Sequence, residues 1–599
     1  MPALSDFLLW VALSAVPLVF LPGIADEFRL PKLAAAELLL GLTCLALVLR
    51  GAMRMVERQR AYLWATVPFV AVAFASVVVG DHGDHGRIAL WSLLFAWLVG
   101  LCWSGADLTL ERLLWLMTPA AVFVAVLAIA QSLGWWSPFA IEESRRRLQV
   151  TSTVGNSGEL ASYLVLPAVF AAWRSLLAWN RGEGSRTRFG WPVVFLVTTA
   201  AITVTQTATA LLLVAAVGAG LVATQPRRPA VRIGLLGAAA LSVVALLLTP
   251  AASRVTEKLG ELARGEWASL TTGRTDGWMV ANQLLSEHPI LGVGFGGFAA
   301  EFTTTKLQMA EQGVQFFTNH VGMSTFGNAH SEPLEVAAEM GALGLLALLW
   351  LSVMVIRPQV QAWRTREGPM VRESLLLRGA VLLAMAGLLV TYFPMRTALL
   401  GYPFLLCFVA MLSPPSEPSG PDQSGDPAAV QGAVPKGRRK WLLAVVILLL
   451  LVQSGRVSWL RIRSSAELRG AESMAQSMIQ GGRVYPTVLR RLIPNLERAF
   501  ENTPWDERLP QALAGYYVLL REGEKAKAWY GRSFEVAYRP ETIDSMGRLL
   551  HSAGQVEESV PWFVQAVRLD RLRIRSVPSD VRSRVRQLAA APAGREDQP

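Results

Sequence analysis

The chain has 599 residues, 52% of them hydrophobic and only 17% charged, with a formal net charge of +11. That is more apolar surface than one soluble core consumes, which excludes an ordinary soluble globular protein and predicts a polytopic membrane protein. The positive balance calls for no nucleic-acid partner. Its Lys and Arg gather in short connections between apolar runs, where they serve insertion and contact with anionic lipids.

A bilayer core of about 30 Å takes roughly 20 apolar residues per helix. That template recurs near 6–22, 33–49, 61–80, 88–104, 113–134, 160–179, 190–206, 208–224, 232–250, 333–356, 376–393, 399–413 and 441–459. The expected fold is therefore all-α, with about twelve spans in a core over 1–413 and one further span. Met1 to Phe7 carries no basic n-region, so the first helix is expected to be retained rather than cleaved. Cys44, Cys102 and Cys407 all fall in apolar runs, which implies neither a disulfide framework nor a thiolate metal site.

Basic connections set the orientation. Arg50 to Arg60, Arg181 to Arg188, Arg227 to Arg232, Arg357 to Arg378 and Lys436 to Lys440 are every second loop. Placing them in the cytoplasm leaves the N-terminus inside. The 135–159 loop, the 251–332 loop and everything after 460 then lie outside, which in a bacterium is the periplasmic side of the inner membrane. One outer loop breaks the pattern with Arg145, Arg146 and Arg147, just ahead of Thr153-Val-Gly-Asn156. Charge against the topological preference suggests an anionic ligand, and a solvated surface cluster is the alternative. In another outer loop, Asp81-His82-Gly-Asp84-His85 has metal-ligand residue types but reads more simply as a polar surface.

The 251–332 loop carries the chemistry. Arg274 opens a helical pattern in which Trp278, Ala281, Leu284 and Leu285 share a stripe, so the helix could lie on the membrane surface with its guanidinium near phosphates. A guanidinium donates two parallel hydrogen bonds to a phosphate and stays charged at any working pH. The bland alternative is a structural Arg paired with Asp276 or Glu287. Gly292-Val-Gly294-Phe-Gly296-Gly297 follows no strand, so it is read as a tight backbone turn folding the loop over the membrane mouth rather than a dinucleotide fingerprint. His330 sits at the entry of the next helix with Glu332, Glu335 and Glu339 nearby. Its neutral imidazole can take a proton from a hydroxyl. The outer loops give a metal no ligand set, so metal-independent chemistry is expected, with no cofactor and with cations stabilising a leaving anion.

Residues 414–440 are rich in Ser, Pro, Gly and Asp and read as a disordered cytoplasmic linker. The span 441–459 then delivers a helical domain over 460–599. In it Leu513, Ala514, Tyr517, Ala526, Tyr530 and Ser533 are echoed about 33 residues later by Met546, Gly547, Leu550, Ser559, Phe563 and Ala566, the spacing of a tetratricopeptide-like repeat. A small helical bundle is the alternative. The domain shows no catalytic constellation, so partner or glycan contact is its expected role.

Arg274-x-x-x-Trp278, Pro289-Ile-Leu-Gly292-x-Gly294-x-Gly296-x-Phe298 and Ala329-His330-Ser-x-Pro-Leu-x-x-x-Ala-Glu339-x-Gly341-x-x-Gly344 resemble the hallmark block of the O-antigen ligase/polymerase superfamily. Phe28-Arg-Leu-Pro31-Lys32 is also similar to its members. The resemblance covers roughly 20–413 and implies a GT-C-like glycosyltransferase that moves a glycan from undecaprenyl diphosphate to a glycan or lipid acceptor hydroxyl. By motif it assigns Arg274 to the donor diphosphate and His330 to the acceptor, with Trp278 and Glu339 in the same block. The chain departs from many relatives at Thr205-Gln206-Thr207-Ala208-Thr209, where a second diphosphate-binding Arg is missing. Arg147 or a neighbour beside Asn156, or else Arg396, is expected to replace it. Polymerisation of surface polysaccharide is the leading expectation, because the fused C-terminal helices suggest contact with envelope polysaccharide-assembly proteins. Ligation to lipid A-core and protein glycosylation are alternatives within the family, and a lipid-linked oligosaccharide flippase is an alternative outside it.

Overall fold

A computed structural model describes residues 4–51, 56–136, 150–224, 257, 260, 261, 263–320, 325–365, 368–414 and 438–591. Among these, every regular element is a helix. The first eight are α1 (Leu4–Ala15), α2 (Arg29–Arg50), α3 (Val56–Val79), α4 (Gly83–Ser104), α5 (Leu110–Ser132), α6 (Ser157–Arg181), α7 (Ser185–Val204) and α8 (Ala208–Thr224). The long loop contributes α9 (Arg274–Glu287) and α10 (Phe298–Glu311), and the bundle resumes with α11 (Glu332–Thr365), α12 (Pro369–Thr391), α13 (Ala398–Met411) and α14 (Arg438–Gly481). Among the described residues, nine helices are long and apolar enough to cross a membrane, and α1, α8 and α13 are shorter apolar helices at three more expected spans. The expected span 232–250, Arg145 to Arg147 and most of the 414–440 linker lie outside the described residues.

Helix α6 is the axis of the bundle. Its apolar window is 94% buried, against 22–56% for the other eight long spans, because α5, α7, α8 and α12 surround it. Such all-round burial explains why it lacks a polar face. Arg58 donates to the Ala106 and Leu108 carbonyls, Arg378 to Ser413 and Gln359, and Arg181 to Glu373, so the described basic connections around these residues lie at one end of the bundle. The opposite end carries the starts of α2 and α6, the 391–397 turn and the long loop.

Two helices differ from the sequence expectation. α1 stops at Ala15 rather than near 22, because Pro17 and the Pro22-Gly23 pair break it; twelve residues rise only about 18 Å, short of a bilayer core. α14 does not end near 459 but continues to Gly481, where Gly482 at φ 62° stops it, so the boundary expected at 460 falls inside one helix. Ser454 and Ser458 on α14 both donate to Glu37 of α2, which ties this helix to the core.

Beyond α14 come α15 (Pro486–Asn502), α16 (Arg508–Leu519), α17 (Gly523–Val536), α18 (Pro540–Ser552), α19 (Val556–Leu569) and α20 (Arg582–Ala590). α16 packs on α17 and α18 on α19. All twelve positions paired at the 33-residue offset are buried, and the ion pairs Glu507–Arg539 and Glu541–Arg573 recur 32 residues apart within themselves. This helical domain sits on the long loop. Asn319 Nδ2 donates to the Arg568 carbonyl at 2.7 Å, Arg571 donates to Gln315 at 2.8 Å, and Leu307 packs with Ile543, Ala566 and Leu569.

Candidate functional site

The loop folds onto α11 through a break in that helix. Gly341 has φ 62° and ψ −157°, which interrupts the helical ladder and strips partners from nearby backbone groups. The 289–294 backbone replaces them: Val293 and Gly294 N–H donate to the Ala338 and Glu339 carbonyls at 3.0 Å, and Ala342 N–H donates to the Pro289 carbonyl at 2.8 Å. A Cβ on Gly292 would stand 2.3 Å from the Glu339 backbone, and one on Gly341 2.4 Å from Ile290. The glycine run is thus a docking strip that meets a helix kink.

Helix α9 buries Asp276, Gly277, Val280, Ala281 and Leu284 in the loop's own core with Phe298, Phe302 and Phe326. The stripe is rotated from the one expected: Trp278 is only half-buried, and the helix packs against α10 and α11 instead of offering Trp278 and Leu285 as a membrane face. Asp276 takes the Phe317 and Thr318 N–H groups, at 3.3 and 2.8 Å, and the Thr318 hydroxyl at 2.5 Å. Lys306, buried beneath Phe316, donates to the same hydroxyl, and burial pulls its ammonium down to about 8. Asp276 therefore holds the 317–320 turn and does not pair with Arg274.

Arg274 is the first residue of α9, after Gly273 at φ 80°. Its Nη1 donates to the Thr391 carbonyl at 3.0 Å, which draws the guanidinium to the turn after α12. Burial lowers its pKa, yet a guanidinium keeps its charge. His330 reaches the same turn from the other side. Its ring lies edge-on between Phe326 at 5.3 Å and Phe393 at 5.0 Å, with backbone φ 56°. Its Nδ1 has no hydrogen-bond partner among the described residues. Burial, with Arg274 and Arg29 nearby, pulls the imidazole down to about 3, so it is neutral at any ordinary pH.

Three further groups complete the cluster. Arg29, at the start of α2, lies 5.8 Å over the Phe393 ring and bonds Glu159 through Nε at 2.8 Å and Nη2 at 2.6 Å. Tyr392 stacks on Phe393 at 4.2 Å, and burial pushes its phenol well above the usual range. Asn156 caps α6 by accepting from the Gly158 and Glu159 N–H groups, which fixes the helix start that carries Glu159. Sequence reasoning passed over Arg29, Glu159 and Tyr392. The available signals were the Phe28-Arg-Leu-Pro31-Lys32 stretch and the Tyr-Phe-Pro interruption after α12.

Arg396 and Glu339 come together, but with each other. Arg396 lies 2.6 Å from Glu339, 3.3 Å from Glu335 and 3.7 Å from Glu332, and sits over the Phe295 ring. The spacing of 332, 335 and 339 puts all three carboxylates on one face of α11. Such company raises the guanidinium's pKa further, despite its burial. Glu335 also accepts from Asn328 Nδ2 and Ala329 N–H, both at 2.9 Å, so the cluster holds the segment that carries His330. The Asp81 to His85 run faces the same loop: His82 Nε2 is 2.8 Å from Glu301 on α10. Among the described residues no group of three or more His, Cys, Asp or Glu is disposed to hold a metal ion. Thr205, Gln206 and Thr207 make the α7–α8 turn, with Gln206 at φ 55°.

Fold and site together define an all-helical, multi-pass membrane protein with a cationic, aromatic-walled cluster at one end of its bundle. A family model described as O-antigen ligase matches residues 191–349, a stretch that contains α9, His330 and the kink of α11. The match supports the O-antigen ligase/polymerase superfamily and, with it, a membrane glycan-transferring role in polysaccharide assembly. No curated protein matches the chain.

Proposed function

We propose that the chain transfers a glycan from undecaprenyl diphosphate to an acceptor hydroxyl on the periplasmic face of the inner membrane, polymerising surface-polysaccharide repeats. The observation that carries this is the meeting of Arg274 and His330 at the Thr391–Phe393 turn, from two ends of a long loop. The acceptor oxygen attacks C1 of the donor's first sugar, the C1–O bond to diphosphate breaks, and configuration inverts. Arg274 stabilises the departing charge. His330 receives the acceptor proton on a ring nitrogen, with Nδ1 available for it.

An imidazole titrating near 3 is a weak base, and the donor itself corrects that. A bound diphosphate offsets Arg274 and Arg29, removing two of the influences that depress His330. Base strength then rises when substrate is in place. Trp278, half-buried near the start of α9, and the Arg145–Arg147 run are proposed to contact the glycan or the donor headgroup.

Purified full-length protein given a lipid-linked repeat should lengthen it without added divalent metal, and absence of any transfer would overturn the reading. A strain lacking the chain should accumulate single lipid-linked repeats. The matched family's description favours a second reading, ligation to lipid A-core, in which full-length polymer would remain on undecaprenyl diphosphate instead.

A further inference from the structure

The Thr205–Thr209 turn carries no cationic side chain, so a second cation for a diphosphate has to be sought elsewhere. Resting on the reading above, we infer that Arg29 is a donor-binding residue that brackets the diphosphate opposite Arg274, held in place by Glu159. Three observations carry it. Arg29 and His330 pack against the same ring, Phe393, while Arg274 bonds the carbonyl two residues earlier, so all three groups border one short turn. The Arg29 side chain is half exposed, whereas its partner Glu159 is only 2% exposed. Both bonds to Glu159 come from Nε and Nη2 to a single oxygen, Oε1, and Nη1 takes no part in them.

That arrangement is unlike the one at Arg396. There three carboxylates surround a guanidinium whose side chain is 18% exposed, so its charge is spent inside the protein. At Arg29 one carboxylate oxygen takes both side-chain bonds, and half of the side chain stays exposed. A rigid fork with unspent donors is what bidentate phosphate recognition requires. Glu159 is itself set by the Asn156 cap at the start of α6. Asn156, expected as a substrate contact, thus acts through Glu159 and Arg29. Glu159 is a positioning residue, and Arg29 the group that touches the ligand.

The test measures binding of undecaprenyl diphosphate and undecaprenyl monophosphate to the full-length protein in nanodiscs. Arg29→Ala should weaken diphosphate binding about tenfold or more and monophosphate binding by less than about threefold, since the lost contact is to the second phosphate. Arg29→Lys should recover part of the loss, keeping charge without the fork. Glu159→Gln keeps an oxygen that can accept from the fork but loses the charge that holds it, so it should weaken diphosphate binding by less than Arg29→Ala. Arg29→Ala weakening diphosphate and monophosphate binding equally would overturn the inference, since the pair would then be structural only. So would an Arg29→Ala variant within about twofold of the unmodified chain, and a simultaneous loss in Arg147→Ala would move the role to that run. If the unmodified chain binds no polyprenyl diphosphate while remaining folded, the glycan-donor reading fails first and this inference with it.

Discussion

At the scale of single residues, buried surroundings and two cations keep the His330 imidazole neutral. His330 is kept from protonating by burial and by Arg274 and Arg29, so its charge state in the free protein does not change across the range where histidine ordinarily titrates. The sign of the stability effect follows. The folded pKa lies near 3 and the unfolded one near 6.5, so the unfolded chain binds the extra proton first. Stability is therefore fully present above about pH 6.5 and is lost as pH falls toward 3. His330→Gln should show a smaller loss of Tm between pH 7 and pH 5 than the unmodified chain, measured by thermal unfolding in detergent. The same variant should lower turnover about 10²- to 10⁴-fold, the usual worth of a general base, and leave undecaprenyl diphosphate binding within about twofold. Single-turnover transfer assays check the first figure and equilibrium binding the second.

At the scale of elements, the determining feature is the break in α11. A helix that stays regular has no backbone groups to lend, so the 289–294 strip could not dock without Gly341. Replacing Gly341 or Gly292 by Ala adds a Cβ that meets backbone atoms at 2.3–2.4 Å, at positions whose φ already disfavours a side chain. Each change should cost about 1–3 kcal/mol for the dihedral alone, more with the clash, and both should displace α9 and α10. Unfolding midpoints and loss of transfer together would register this. The acidic face of α11 makes a separate prediction. Arg396→Ala leaves Glu332, Glu335 and Glu339 buried without their cation, and removing one partner of a buried set costs about 3–5 kcal/mol. Low expression or a large fall in Tm is expected, and Arg396→Ala at full stability would show that the three carboxylates do not depend on it.

Across the whole molecule, the α15–α20 domain is joined to the site by a chain of contacts. Asn319 bonds the Arg568 carbonyl, the adjacent Thr318 bonds Asp276, and Asp276 lies two residues from Arg274. Leu307, 7% exposed, fixes the apolar part of that seam. Leu307→Asp puts a carboxylate into it, a cost of about 2–3 kcal/mol localised at the interface. Hydrogen exchange should quicken over 298–320 and 540–569, and donor-dependent turnover should fall although neither Arg274 nor His330 is touched. Unchanged exchange over 298–320 would mean that the domain does not brace the loop.

The sequence by itself determined the membrane class, the all-helical fold, most of the spans and the position of the polar loop. Each of these is written in local composition: apolar length for the spans and polar residues for the loop. Only the tertiary structure decided what those residues face. That Arg396 is consumed by three carboxylates and that Asp276 holds a turn rather than Arg274 could not be read from spacing. Nor could the placement of Arg29 beside His330. These partners lie 41 to 301 residues apart along the chain, and a charge's role depends on what burial leaves next to it. Nor does apolar length show where α14 ends: it marks where a helix can leave a membrane, whereas α14 runs on to Gly481 and is stopped by Gly482.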